Sequence, residues 1–228
     1  MARLSIIMPV LDEGDGIVAA LDALADLRAL GVELIVVDGG SSDATVQRAR
    51  LRADRVLSAP RGRASQMNAG AEKASGDVLL FLHADTRLPT AAELVVLGGL
   101  ERSGRAWGRF DVTIAGRHPL LAVVARMMNI RSRATGIATG DQAIFIKRDV
   151  FITAGGFPAI PLMEDIALCK RLKRVSRPLC LRDRVVTSGR RWEQHGVLRT
   201  IVLMWRLRLS YFLGADPALL ARRYGYGE

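Results

Sequence analysis

Cysteine, aromatic residues and unbroken apolar runs are all scarce in this 228-residue chain, and each shortage removes a class of protein. The two cysteines, Cys169 and Cys180, form neither a Cys-x-x-Cys pair nor a His/Cys zinc pattern. They read as reduced structural thiols in a reducing compartment. Aromatic residues make up 5% of the chain, and no nucleic-acid-binding motif is visible, which argues against a nucleic-acid partner. A bilayer-spanning helix needs about 20 predominantly apolar residues. The best stretches, 120–128 and 197–213, are broken by Arg126 and by Arg199, Arg206 and Arg208, so no transmembrane helix is predicted. The early apolar stretch 6–11 carries Pro9 and runs straight into Asp12 and Glu13. That is a buried strand rather than a secretory signal, and the chain reads as cytoplasmic.

What is present suits a soluble globular domain: half the residues are apolar and a quarter are charged. A chain of this length buries most of its unfolded surface, so a single domain over 1–228 is expected. The formal net charge of +10 favours polyanionic company, whether nucleic acid, an anionic membrane surface or phosphate-bearing ligands. Charge alone does not choose among them.

Hydrophobic periodicity divides the first half into alternating strands and helices. Apolar strands are predicted at 4–8, 33–37, 55–57 and 78–82, with helices at 17–27, 44–50 and 66–74. Such alternation implies an α/β fold with a mostly parallel central sheet flanked by helices. In that architecture ligands bind at the carboxyl ends of the strands, where Asp12 and Glu13, Asp38, and His83 and Asp85 all fall. The second half is less regular. Strands are expected at 107–114, 142–146, 179–181 and 184–187, helices at 120–130, 163–175 and 196–213, and a last short helix capped by Asp216 and Pro217.

Several motifs admit two readings on their own. His83-Ala84-Asp85 puts two ligand-capable side chains at i and i+2 beyond a strand end, and a carboxylate is a natural ligand for Mg²⁺ or Mn²⁺ bridging a diphosphate; a solvated turn explains the same residues. Asp38-Gly39-Gly40-Ser41-Ser42-Asp43 lets backbone approach a ligand and offers a carboxylate to a ribose or base, or is a tight turn with an ordinary helix cap. Glu164-Asp165 opens a helix, as capping anions do, or as a general base would if it reached a hydroxyl. Arg190-Arg191-Trp192 with His195, and Arg61 with Arg63, supply cations for phosphate oxygens and an indole for stacking, or form basic surface loops.

Taken together and in order, the segments Ile6-Ile7-Met8-Pro9-Val10-Leu11-Asp12-Glu13, Val36-Val37-Asp38-Gly39-Gly40-Ser41, Arg63 through Gly70, Leu82-His83-Ala84-Asp85, Gly155-Gly156-Phe157-Pro158 and Met163-Glu164-Asp165 resemble the family 2 glycosyltransferases. The end of the chain, from Tyr211 to Tyr224, is similar to a compact bacterial branch of that family. The resemblance implies a GT-A fold, with a nucleotide-binding half over 1–105 and an acceptor-binding half with C-terminal helices over 106–228. It implies a nucleotide diphosphate sugar as donor, a UDP-sugar being favoured, bordered by Pro9, Asp12, Glu13, Asp38, Gly39, Arg63, His83, Ala84, Asp85, Arg191 and Trp192. Asp85 would hold Mn²⁺ or Mg²⁺ against the diphosphate. Asp165, beside Glu164, would be the base of an inverting single displacement onto an acceptor hydroxyl. Two positions depart from the family pattern: His83-Ala84-Asp85 stands where Asp-x-Asp is usual, and Asp12 where Asn is usual.

Two other classes compete with this reading. A nucleotidyltransferase of the same fold would show a Gly-rich basic loop after the first strand, where Leu11-Asp12-Glu13-Gly14 is acidic. A non-catalytic protein binding phosphate or a membrane surface would use the arginine excess. Residues 196–213 mix Trp205, Tyr211, Phe212 and several leucines with arginine, so peripheral contact with the inner face of the membrane stands against ordinary core packing. The acceptor, whether small molecule, lipid-linked or glycan, is named by none of these residues.

Overall fold

The computed structural model describes residues 3–225. The first half contains β1 (Leu4–Val10), α1 (Ile17–Asp22), α2 (Ala25–Ala29), β2 (Glu33–Asp38), α3 (Thr45–Arg50), β3 (Arg55–Ser58), α4 (Arg63–Lys73) and β4 (Val78–Phe81). The second contains β5 (Thr86–Arg87), α5 (Ala92–Ser103), β6 (Trp107–Ala115), α6 (Leu120–Thr135), a 3-10 turn at Gly140–Gln142, β7 (Phe145–Lys147), α7 (Arg148–Thr153), α8 (Glu164–Leu172), β8 (Leu179–Ser188), α9 (Arg190–His195), α10 (Val197–Phe212) and α11 (Pro217–Tyr224).

The strands form one sheet in the order β3-β2-β1-β4-β7-β6-β8-β5. Four pairings are parallel, β1 with β2, β1 with β4, β2 with β3 and β6 with β8. The antiparallel pairings are those of β7 with β4 and β6, and of β5 with β8. The sheet is therefore mixed, its parallel character concentrated in the first half.

Period-two alternation sorts each central strand between two cores. Leu4, Ile6, Met8 and Val10 face one layer with Ile17 and Leu21 of α1, while Ile7 faces the other with Met67 and Ala71 of α4. Both faces are covered, which is why β1 and β2 read as nearly continuous aliphatic runs. Gly70 sits where α4 crosses the sheet: a Cβ there would meet Ile7 Cγ2 at 2.5 Å and Val37 Cγ2 at 3.0 Å.

Where the observed elements differ from the sequence-based assignment, the causes are local. The helix expected at 17–27 is two short helices with a break at Ala23 and Leu24. Helix α5 falls in a stretch without a sequence-based assignment and carries Gly98 and Gly99, which are weak helix formers; it packs its buried Val96 and Leu100 into the core. The two short strands expected at 179–187 are one, β8, whose charged residues Arg182, Asp183 and Arg184 fall at a register shift opposite Arg109 and Asp111. Helix α6 docks on β6 through Asn129, whose amide donates to the Val112 carbonyl at 3.0 Å and accepts its N–H at 2.9 Å. Among the described residues no helix is long and apolar enough to cross a membrane.

Candidate active site

Strand order reverses at β1, with β2 and β3 on one side and β4 on the other, and a crevice opens at such a switch point. Pairing of β1 with β4 ends at Ile7 and Phe81, and the Leu82 N–H donates to the Ile7 carbonyl. Pro9, two residues on and turned to the same edge, has no N–H to leave unpaired. The loops after β1 and β4 can therefore part there, and they carry Asp12, Glu13, His83 and Asp85.

Side chains fasten the loops after β1 and β2 to each other. The Asp12 N–H donates to Ser41 Oγ at 2.9 Å, and the Asp12 carboxylate accepts the Ser42 N–H at 2.8 Å. The Glu13 N–H donates to Thr45 Oγ1 and the Gly14 N–H to Asp43, both at 2.8 Å. Asp12 takes a left-handed φ of 50°, a conformation that Asp tolerates. Asp38 is buried, and its carboxylate accepts from the Gly40 and Ser41 N–H groups and the Ser41 hydroxyl. In this conformation it builds the Gly39–Gly40 loop. Beneath the loops the buried Gln66 amide donates to the Val10 and Val37 carbonyls, each at 2.8 Å.

On the β4 side Ala84 turns to the core, and the half-buried His83 and the exposed Asp85 flank it. Thr86 pairs with Thr187 of β8, hydroxyl to hydroxyl at 3.0 Å, and the Ser188 N–H donates to the Asp85 carbonyl. This junction brings the start of α9 to the crevice. Burial raises the pKa of Glu13, Asp85 and Asp43 raise it further, and Arg190 and His83 oppose them, so these five groups share one electrostatic cluster.

His83 connects that cluster to the start of α8. Its Nδ1 stands 3.4 Å from Asp141 Oδ1, and a Cβ on Gly140 would lie 2.5 Å from the imidazole. The Gly140 N–H in turn donates to the Asp165 carboxylate at 3.0 Å, and the Ile166 N–H donates to it at 2.7 Å. Burial opposes ionisation of Asp141, but His83 with Arg63 and Arg131 holds it below the usual carboxylate range. Asp165 moves the other way, raised by burial and by Asp141 despite the two N–H donors and Arg63. Glu164, 6% exposed, is pushed up to about 7 by burial and by the Asp165 charge. The two carboxyls titrate as a pair. Cys169 lies one helical turn further on, its buried thiol pushed well above the ordinary range.

Pro9, Asp12, Glu13, Asp38, Gly39, His83 and Asp85 thus lie at the same end of the sheet, with Ala84 between the last two turned to the core, while the charge of Arg63 acts on Glu164 and Asp165 and the Gly140–Asp141 turn links His83 to Asp165. Arg191 stacks over the Tyr224 ring at 3.9 Å and donates to the Tyr224 carbonyl at 2.9 Å, while Trp192 leans on the core. The neighbouring Arg190 is the arginine whose charge acts on Glu13. Sequence reasoning missed Gln66, Asp141 and Arg131; only the turn-like Gly140-Asp141 pair offered a signal. Arg131 has buried Nε and Nη2 atoms without a partner, and its charge acts on Asp165.

Among the described residues no three His, Cys, Asp or Glu side chains stand close enough to hold a metal between them. The exposed Asp85 carboxylate suits an ion of another kind, one held by a carboxylate or two and completed by the phosphates of its substrate, as Mg²⁺ commonly is.

Residues 5–152 match the sequence profile described as Glycosyl transferase family 2. The PGL/p-HBAD biosynthesis glycosyltransferase of Mycobacterium tuberculosis is 37% identical over 97 residues, which are 40% of this chain and 38% of that protein. The chain thus spans well under half the length of this curated relative. Among solved structures, S. aureus TarS in complex with UDP superposes with a TM-score of 0.66 at 18% identity, covering 82% of this chain and 60% of that one. A mannosyltransferase from Pyrobaculum calidifontis, in complex with GDP-Man and Mn²⁺, gives a TM-score of 0.65 at 20% identity over 99% of this chain and 69% of its own. These likenesses establish the GT-A fold.

Proposed function

Because the chain belongs to glycosyl transferase family 2, we propose that it moves a sugar from a nucleoside diphosphate sugar to an acceptor hydroxyl, inverting the anomeric carbon, with Asp165 as the base. The observation that carries this reading is the Gly140–Asp141 turn. It ties His83, of the loop that bears Asp85, to the carboxylate of Asp165. That link would set a donor laid between the loops after β1 and β4 beside a base at the start of α8.

In this reading residues 1–105 hold the donor and 106–228 the acceptor. Asp38 and Gly39 border the nucleoside, and a UDP-sugar is the favoured donor. Asp85 would hold Mn²⁺ or Mg²⁺, which when bound supplies charge neutralisation to the departing diphosphate. Asp165 takes the proton of the acceptor hydroxyl as that oxygen bonds to the anomeric carbon and the bond from that carbon to the diphosphate breaks. Burial raises its proton affinity toward the working pH, where a general base is most effective. Arg131, beside Asp165, favours the charged carboxylate before the proton is taken.

The test is thermal-shift binding of UDP, GDP, dTDP, CDP and ADP, each with Mn²⁺, Mg²⁺ or chelator, since a ligand that binds only the native state raises its melting point. A metal-dependent shift with one nucleotide, lost in Asp85→Ala, is expected. No shift with any nucleotide would sink the donor site.

A further inference from the structure

Helix α10 turns its most apolar stripe away from the core. Leu198, Val202, Trp205, Leu209 and Phe212 recur at spacings of four and three, which places them on one face. That face is exposed, Trp205 by 69% and Leu209 by 61%. The opposite side, with Val197, Thr200 and Leu207, is buried, so the helix is docked without using the stripe. An exposed apolar surface this continuous marks a site of contact.

Its surroundings are basic. Arg199 and Arg206 line one flank of the stripe, Arg208 lies toward the other, and α10 holds no acidic residue. A groove of about 660 Å³ alongside sets apolar side chains, among them Leu203 and Leu207, beneath Arg199, Arg206 and Arg223 of α11. Helix α6, which touches α10, is also free of acidic residues and exposes Val123, Met127 and Ile130.

We propose that this face docks on the surface of an anionic phospholipid bilayer. Helix α10 would lie in the plane of the interface, its stripe among the upper acyl chains and its arginines on headgroup phosphates. The charge pattern selects this occupant. The spacing would suit a coiled coil with a second copy, but the positions flanking the stripe are arginines with no acid to answer them, so like would face like. A nucleic acid would satisfy the arginines and leave the stripe in water. A bilayer satisfies both. The stripe also ends beside α8: Lys170 Nζ lies 4.7 Å from the centroid of the Phe212 ring. Docking would thus bring the helix that carries Asp165 to the membrane, although the proposal itself does not depend on sugar transfer.

Sedimentation of the full chain with vesicles tests it, using phosphatidylcholine alone against equal parts of phosphatidylcholine and phosphatidylglycerol. Binding to the anionic vesicles, weakened by salt, is expected. Leu209→Glu should lower it about tenfold with an unchanged melting point, since Leu209 is exposed and an anionic surface repels the new charge. The pair Arg199→Ala and Arg206→Ala should lower it about 25-fold, at roughly fivefold per arginine. Equal partitioning to both vesicle types, or Leu209→Glu and the arginine pair both binding as the parent does, would overturn the proposal. So would a lipid-free dimer that Leu209→Glu converts to monomer, because a second copy would then be the occupant.

Discussion

Asp12, Asp38 and Asp43, on the loops after β1 and β2, spend their carboxylates on N–H and hydroxyl donors, whereas Glu164 and Asp165, at the start of α8, are desolvated. The bonds from Thr45 hold Asp43 below the ordinary carboxylate range, and Asp38 accepts three donors from its own loop. Glu164 and Asp165 are raised instead, burial being the main cause for each. One set of anions is architecture, its oxygens taken up in holding the loops together. The other is charged only at a cost, which is the condition for taking a proton.

The largest expected effect breaks the second set. Asp165→Asn keeps the shape and removes the basic oxygen, so turnover should fall by about 10³-fold within the usual 10²–10⁴ range, with nucleoside diphosphate affinity unchanged. Steady-state transfer with calorimetric UDP binding measures both, and near-parental turnover would end Asp165's assignment as base. A change under the donor loops should act on stability. Gln66→Leu removes the amide donor from the Val37 carbonyl and from the Val10 carbonyl, which keeps the Gly39 N–H, and should cost roughly 1–3 kcal/mol in urea unfolding, at about 0.5–1.5 for each hydrogen bond lost. It should leave the pH profile alone; a loss under about 1 kcal/mol would mean that water replaces the amide.

The smallest effect sharpens the contrast. Glu164 keeps its proton in the folded chain up to about 7 but loses it near 4.5 when unfolded. Its contribution to stability is therefore complete below the lower value and lost as pH rises through the upper one. Glu164→Gln should gain melting temperature on the parent between about pH 5 and about pH 8, by a few degrees. Glu164 is neutral below about 7, so the substitution should leave the acid limb of turnover where it is. A limb that moved would show that Glu164 is already charged while Asp165 titrates.

The parallel half was legible because its signals are local. The aliphatic runs of β1, β2 and β4, each ending in a turn with carboxylates, follow from strand period and chain reversal, and the order of motifs pointed to a family. The second half was less legible for physical reasons. Helix α5 carries a diglycine that propensity counts against, and β8 was divided because charged residues at a register shift look like a loop. Arg190 and Arg191 are equivalent in sequence, yet the turn after β8 sends one toward Glu13 and gives the other to Tyr224.

The sequence by itself determined the α/β layering, the strand ends where Asp12, Asp38 and Asp85 gather, and the family, because strand alternation, turns and motif spacing act over a few residues. Only the tertiary structure decided that Gly140 holds Asp165, 25 residues away, and that Gln66 braces Val10, 56 residues away. It also decided which face of α10 stays in solvent. These follow from which surfaces pack together and how far each carboxylate is removed from water, and neither is written in any short stretch of chain.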